Sequence, residues 1–293
     1  MKIFIAGSRG QLGYDCMQVL EGKHELRSMD LPELDIASAS SVEAALGAFQ
    51  PDVVINCAAY TKVDACEEHR EEARNANALG PKLLAQYTDR HNAALVHIST
   101  DYVFDGQQTP PQPYTEDDPT LPSSFYGISK LEGEQAIKMT TDRYVILRTA
   151  WLYGINGHNF MKTMLRLALK QPDKTLRVVN DQFGTPTWSY RLALQIEKII
   201  EAGAQGLYHA TDEGWCSWYD LAAYFLKTMQ APHRIQPCTT AEYPTPARRP
   251  ANSILENKRL KEQGLNIMAA WKSDVNEFVR KYQQQLIQEV SGK

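Results

Sequence analysis

Lys2-Ile-Phe-Ile-Ala-Gly7-Ser-Arg9-Gly10-Gln11-Leu12-Gly13 is the stretch that decides the fold. Lys2–Ala6 is a short apolar run closed by glycine, the pattern of a strand buried on both faces. Gln11 to about Leu20 has helical character. A strand, a glycine turn and a helix in that order form a phosphate cradle. The glycines let the backbone approach a pyrophosphate, and the helix N-terminus supplies N–H donors and the positive end of its dipole. A bare strand-to-helix turn is the plainer alternative. Its place at the head of a chain of like units favours the cradle.

His24–Asp30 reads as a second strand, ending in Asp30, 23 residues after Gly7. An acid there accepts from adenosine ribose hydroxyls, which favours NAD. Arg9 points the other way, since its guanidinium could hold a 2′-phosphate as a fork. Together they predict NADPH, with NADH also accepted. Ser40–Phe49 reads as a helix, and Asp52–Cys57 as a third strand running into Ala58-Ala59-Tyr60-Thr61. These small residues lie at a strand's carboxyl end, where a doubly wound sheet places its cofactor. Helices are expected over Asp64–Ala78 and Pro81–Arg90, then a strand over Ala94–Ser99 that delivers Ser99, Thr100 and Asp101 to the same edge. A long loop over 106–122 precedes a helix at Tyr126, and Tyr144–Thr149 is a fifth strand. The fold class is therefore α/β. A Rossmann-like doubly wound parallel sheet occupies residues 1–150, and a smaller mixed α/β substrate domain occupies 151–293. A helix near 188–202 is expected to pack back on the first domain.

Tyr126 and Lys130 are four residues apart and so share one face of a helix. The lysine cation favours the phenolate and pulls a phenol of ordinary pKa near 10 toward neutrality. A hydroxyl from Ser99 or Thr100 could polarise the same carbonyl. Tyrosine, lysine and a hydroxyl are the equipment for hydride transfer at a carbonyl carbon. Alone, the pair is an ordinary surface pattern; following a nucleotide-binding half, it reads as catalytic. Later in the chain, a helix is expected over Asn159–Leu169. A second, over Ser217–Met229, has Asp220 placed to complete a capping box with Ser217. The loop 239–253 carries Arg248 and Arg249, and a last helix runs from about Ser273 to Glu289.

Hydrophobic residues at 43% and charged residues at 23% are those of an ordinary globular protein. A net charge of −4 argues against a nucleic-acid partner. No apolar run approaches the roughly 18 residues of a membrane span. Met1-Lys2 leads straight into a strand, leaving no room for a signal peptide, so the expected location is the cytoplasm. Five cysteines without a CxxC pair predict reduced thiols, and no histidine cluster predicts a metal.

The glycine spacing, Ser99-Thr-Asp-Tyr-Val-Phe104 and Tyr126-x-x-x-Lys130 resemble the extended short-chain dehydrogenases. Arg148-Thr-Ala-Trp-Leu-Tyr153, Asn159-Phe-x-Lys-Thr-Met164, Asp181-Gln-x-Gly-x-Pro-Thr187 and Arg249-Pro-x-Asn-Ser253 narrow the resemblance, over essentially the whole chain, to the dTDP-4-dehydrorhamnose reductase family. The resemblance implies reduction of the 4-keto group of dTDP-4-dehydro-L-rhamnose, or of a close nucleotide-ketosugar, by NADPH or NADH. Tyr126 would protonate the alkoxide, Lys130 would lower its pKa and bind the nicotinamide ribose, and Thr100 would hold the hydroxyl role. Gly7, Arg9, Gly10, Gln11, Leu12, Gly13, Asp30, Asp35, Ile36, Ala59, Tyr60, Thr61 and Ile98 would line the cofactor. Asp101 and Trp151 would meet the sugar, while Arg249, or the helix start at Asn159 with Lys162, would take the pyrophosphate. Some members join two chains through a magnesium site of glutamates. Asp15, Tyr190 and Lys281 stand at the matching positions, and only Asp15 suits a hard cation. Neither Mg2+ nor that dimer is expected, and the chain is read as a monomer or weak homodimer. The competing class is a binding protein resembling the regulatory subunit of methionine adenosyltransferase, which would show a damaged catalytic set.

Overall fold

The computed structural model describes residues 1–291. The first half alternates strands and helices: β1 (Lys2–Ala6), α1 (Gln11–Leu20), β2 (Glu25–Met29), α2 (Ala39–Gly47) and β3 (Val53–Asn56). There follow α3 (Ala65–Glu68), α4 (Arg70–Arg74), α5 (Gly80–Arg90), β4 (Ala94–Thr100), α6 (Phe125–Thr140) and β5 (Tyr144–Thr149). Beyond these come β6 (Leu152–Tyr153), α7 (Phe160–Lys170), β7 (Thr175–Val179), β8 (Phe183–Gly184), β9 (Thr187–Trp188), α8 (Ser189–Glu201) and β10 (Gly206–His209). The chain closes with β11 (Cys216–Ser217), α9 (Trp218–Thr228), β12 (Arg234–Cys238), β13 (Asn252–Ser253), α10 (Lys258–Glu262) and α11 (Trp271–Ser291).

Six strands form one sheet in the order β10-β5-β4-β3-β1-β2, and every pairing in it is parallel. From β1 the chain winds one way to β2 and the other way through β3, so the topological switch lies between β1 and β3. Side chains alternate between faces: Ile3, Ile5, Val53 and Ile55 join one core with α1 and α8, and Phe4, Ala6 and Val54 join the other. Burial on both faces explains why these strands read as unbroken apolar runs.

Two expectations need correction. Residues 206–209 supply the sheet's sixth strand, pairing with β5, so the sheet reaches past residue 150. The predicted break between Ala78 and Pro81 is absent: α4 passes through a π turn at Asn75–Leu79 into α5, with Pro81 in its first turn. The second lobe has its own core, from Tyr153 and Met161 through Phe225 to Phe278 and Leu286. Its strands are two- and three-stranded ribbons. Asn159 caps α7, and Ser217 with Asp220 forms the capping box of α9.

Candidate active site

A cleft of about 440 Å³ opens at the carboxyl ends of the central strands. Gly10, Gln11, Leu12, Gly13, Ala59, Thr61, Ile98, Thr100, Asp101, Tyr126, Lys130 and Trp151 all line it. The glycine turn is fixed by contacts only glycine permits. Gly7 has φ +80°, and a Cβ there would come within 2.5 Å of the Ala58 nitrogen. A Cβ at Gly13 would strike the Gly7 carbonyl oxygen. The backbone N–H of Arg9 donates to Asp30 at 2.9 Å, tying the turn to the end of β2.

Gly7, Arg9, Asp30, Asp35, Ile36 and Tyr60 stand outside the cleft lining. The Arg9 guanidinium is exposed and donates to the Leu31 carbonyl and to Glu33, both at 2.8 Å. Asp35 is exposed, while Ile36 is buried against Gly80. Tyr60 is clamped by Asn77, whose amide accepts from the Tyr60 N–H at 2.8 Å and donates to its carbonyl at 3.1 Å. Asn77 also donates to Ser129 Oγ at 3.0 Å, and Ser129 donates to the Tyr126 carbonyl at 2.9 Å. Sequence reasoning missed Asn77. The signal was an asparagine inside a helical run, where its propensity is poor.

Thr100 and Ser99 part ways. Ser99 also lines the cleft, but its hydroxyl is spent on the buried Glu134 carboxylate at 2.6 Å, so it is not the polarising hydroxyl. Arg148 holds Glu134 with two hydrogen bonds of 2.8 Å, closing that buried cluster. Thr100, at the strand end, donates to Asp101 Oδ1 at 2.8 Å. Asp101 Oδ2 is buried and unpartnered among the described residues. Burial pushes the Asp101 carboxyl up to about 6, against the hydrogen bond from Thr100 and the nearness of Ser253.

The shared face of Tyr126 and Lys130 is present, but the expected effect of the lysine is not. Burial, followed by the Asp101 carboxylate, pushes the Tyr126 phenol above its usual range, while Thr100 opposes the shift. The Lys130 Nζ is turned to the Ile98 carbonyl at 2.6 Å and to His97 Nε2 at 3.5 Å. Burial lowers its own pKa to about 8.

On the far wall, Trp151 has φ +47° and stacks on Trp218 with ring centroids 3.5 Å apart. Its indole N–H donates to Ser253 Oγ at 3.2 Å. Gly184 leaves room for that ring, since a Cβ there would meet the indole. Asn159 and Arg249 lie beside the cleft. Asn159 donates to Gln11 Oε1 at 3.1 Å, joining α7 to the glycine turn. Arg249 is held by Asp64 at 2.7 Å and reaches the Tyr102 hydroxyl at 3.4 Å. Tyr102 meets the Tyr126 ring edge-on at 5.5 Å. Lys162 is a correction. Only 5% exposed, it donates to the Ile155 carbonyl and is paired with Glu289, so its charge does not face the cleft. Among the described residues no group of three or more His, Cys, Asp or Glu could hold a metal ion. Asp15 is buried and accepts from Ser189, and the Lys281 Nζ lies 4.3 Å from the Tyr190 ring centre.

A tyrosine, a lysine and a threonine at the carboxyl edge of a doubly wound parallel sheet are the constellation of an extended short-chain dehydrogenase. The family described as "RmlD substrate binding domain" matches residues 1–284. A dTDP-4-dehydrorhamnose reductase of Aggregatibacter actinomycetemcomitans is 42% identical over 275 residues, covering 89% of this chain and 92% of that protein. The chain belongs to the dTDP-4-dehydrorhamnose reductase family. The crystal structure of a dTDP-4-dehydrorhamnose reductase from Clostridium acetobutylicum superposes with a TM-score of 0.93 at 43% identity, covering 97% of this chain and all of that one. One from Bacillus anthracis, solved in complex with NADP, gives a TM-score of 0.92 at 36% identity, covering 96% and 99% of the two chains.

Proposed function

We propose that the protein reduces the 4-keto group of dTDP-4-dehydro-L-rhamnose, giving dTDP-L-rhamnose, with NADPH as hydride donor and NADH as a poorer one. The observation that carries this reading is the meeting of Thr100, Tyr126 and Lys130 with Asp101 and Trp151 in one cleft. The family's activity supports it, as does the NADP held by the Bacillus anthracis relative. The cradle from Gly7 to Gly13 fits a dinucleotide pyrophosphate, because its close backbone contacts exclude side chains there.

The bound cofactor supplies the hydride. Thr100 and Tyr126 would hold the ketone oxygen, and as the hydride reaches carbon the negative charge grows on that oxygen. Tyr126 then gives its proton to the alkoxide, leaving a phenolate for Lys130 to stabilise. Asp101 would take a sugar hydroxyl on its unpartnered oxygen, and the Trp151 ring would fix the sugar plane. Arg249, held by Asp64 at the rim, would exchange that carboxylate for the substrate pyrophosphate. The protein is proposed to act as a monomer or weak homodimer in the cytoplasm; no described helix is long and apolar enough to cross a membrane.

Oxidation of NADPH in the presence of a panel of nucleotide-4-ketosugars tests the reading. Turnover should be fastest with the dTDP-linked rhamnose precursor. Faster turnover with another 4-ketosugar would move the assignment to that sugar. Binding without turnover of any of them would favour the non-catalytic alternative.

A further inference from the structure

Behind Lys130 lies a buried polar pair that the reaction described above does not use. Asn56 on β3 and His97 on β4 are register partners, so both side chains leave the sheet on the same face. They are 1% and 0% exposed. The Ala58 N–H donates to Asn56 Oδ1 at 3.1 Å, which fixes the amide and leaves Nδ2 against His97 Nδ1 at 3.1 Å. An amide nitrogen can only donate, so Nδ1 is the acceptor and the neutral ring carries its proton on Nε2. This tautomer is assigned from the hydrogen-bond network. Burial, with the Lys130 cation beside it, holds the His97 pKa well below its ordinary value, so the ring is neutral. Its Nε2 lies 3.5 Å from the Lys130 Nζ. An N–H aimed at an ammonium repels it; aimed at an amine, it makes a hydrogen bond.

We propose that Asn56 and His97 form a positioning device for proton transfer, in which the locked Nε2–H favours the neutral amine of Lys130 and so readies this lysine to hand on its proton. After Tyr126 has protonated the alkoxide, its phenolate takes a proton from the Lys130 ammonium, directly or through a bridging hydroxyl. The resulting amine accepts the His97 N–H and is reprotonated from solvent. The other groups around Lys130 act against this release. Glu134, one turn along α6, and Cys57, at the end of β3, both favour the charged form, and the Ile98 carbonyl accepts from Nζ at 2.6 Å. Burial outweighs them, consistent with a lysine titrating near 8.

The proton-transfer role rests on the reductase reading, but the tautomer and the lysine titration do not. Imidazole 15N shifts of His97 in the wild-type protein, with and without NADPH, should show a proton on Nε2 and none on Nδ1. The opposite tautomer would overturn the proposal without any variant. The Lys130 midpoint, read from its 13Cε shift and assigned by its loss in Lys130→Met, should rise by about one pH unit in His97→Phe. His97→Gln, whose amide can accept from Asn56 and donate toward Lys130, should keep the wild-type midpoint. The alkaline limb of kcat should follow the midpoint in each variant. An unmoved midpoint in the Phe variant, or a Gln variant behaving like Phe, would sink the device. If the Phe variant does not fold, the wild-type tautomer alone decides. If the midpoint moves as expected but no ketosugar is reduced, the reductase reading fails and the tautomer lock stands.

Discussion

Lys130 on α6 and Lys162 on α7 are buried to almost the same degree, 2% and 5% exposed, yet the two helices use them in opposite ways. Each Nζ donates to a backbone carbonyl, that of Ile98 or of Ile155. Lys162 also meets the Glu289 carboxylate at 2.7 Å, which closes its charge into an ion pair joining α7 to the end of α11. Lys130 has a neutral imidazole where Lys162 has a carboxylate, and it lines the cleft. A buried cation with an acid partner is a strut; one without is a group whose protonation can change.

The sharpest way to break this contrast is by kinetics. Tyr126→Phe removes only the proton donor, so turnover should fall by about 10² or more while dTDP binding survives. Lys130→Met should lose a comparable factor, and Lys162→Met should not. Near-normal turnover in Tyr126→Phe would end the acid–base assignment.

Asp101 comes next. Its carboxyl is raised from 3.8 to about 6 by burial, so in that window the folded protein holds a proton that the unfolded chain has lost. The stability this contributes is full below about 3.8 and disappears as the pH rises through about 6, a change on the order of 2–3 kcal/mol. Asp101→Asn should remove it. Denaturant unfolding of both proteins from acid to neutral pH should show the wild type losing ground to the variant across that interval. Parallel curves would mean the carboxyl is not strained by burial.

Two exposed or half-buried arginines sharpen the contrast from outside. Arg9→Ala should weaken NADPH binding about tenfold or more and leave NADH nearly unchanged, because only NADPH offers a phosphate for the fork. Equal losses would leave Arg9 as a clasp on Leu31 and Glu33. Arg249→Ala should weaken dTDP binding by a similar factor, and Arg248→Ala should not. No change in either would return the pyrophosphate to the backbone N–H groups at the start of α7.

The smallest effect belongs to Lys162. Glu289 is 44% exposed and returns to water when its partner is lost, so Lys162→Met should cost only about 1–2 kcal/mol of stability. Dissociation of dTDP should be unaltered; a clear loss there would erase the distinction between the two lysines.

Local chemistry made much of this molecule readable from its residues. The five strands of the first half were legible to within a residue of their observed ends, four of them as largely apolar runs. The glycine spacing marked a cradle whose close contacts the fold then explains, and Ser217 with Asp220 announced its helix by a capping box. These features depend on neighbours in sequence. Other features depend on partners far away in sequence, and spacing does not carry them. Ser99 and Thr100 are adjacent and chemically alike. Both are buried and both line the cleft, and only the packing of Glu134 and Arg148 against Ser99 separates a hydroxyl spent inside the fold from one set beside Asp101. Tyr126 and Lys130 were legible as a pair, but not the burial that raises the phenol or the His97 that faces the lysine. Lys162 belongs to a segment matching the family, yet Glu289, 127 positions away, decides that its charge is spent inside the lobe. Sequence by itself determined which groups the protein owns and how each segment would fold. Tertiary structure decided their charge states and exposure, because desolvation and long-range pairing exist only once distant segments have closed around them.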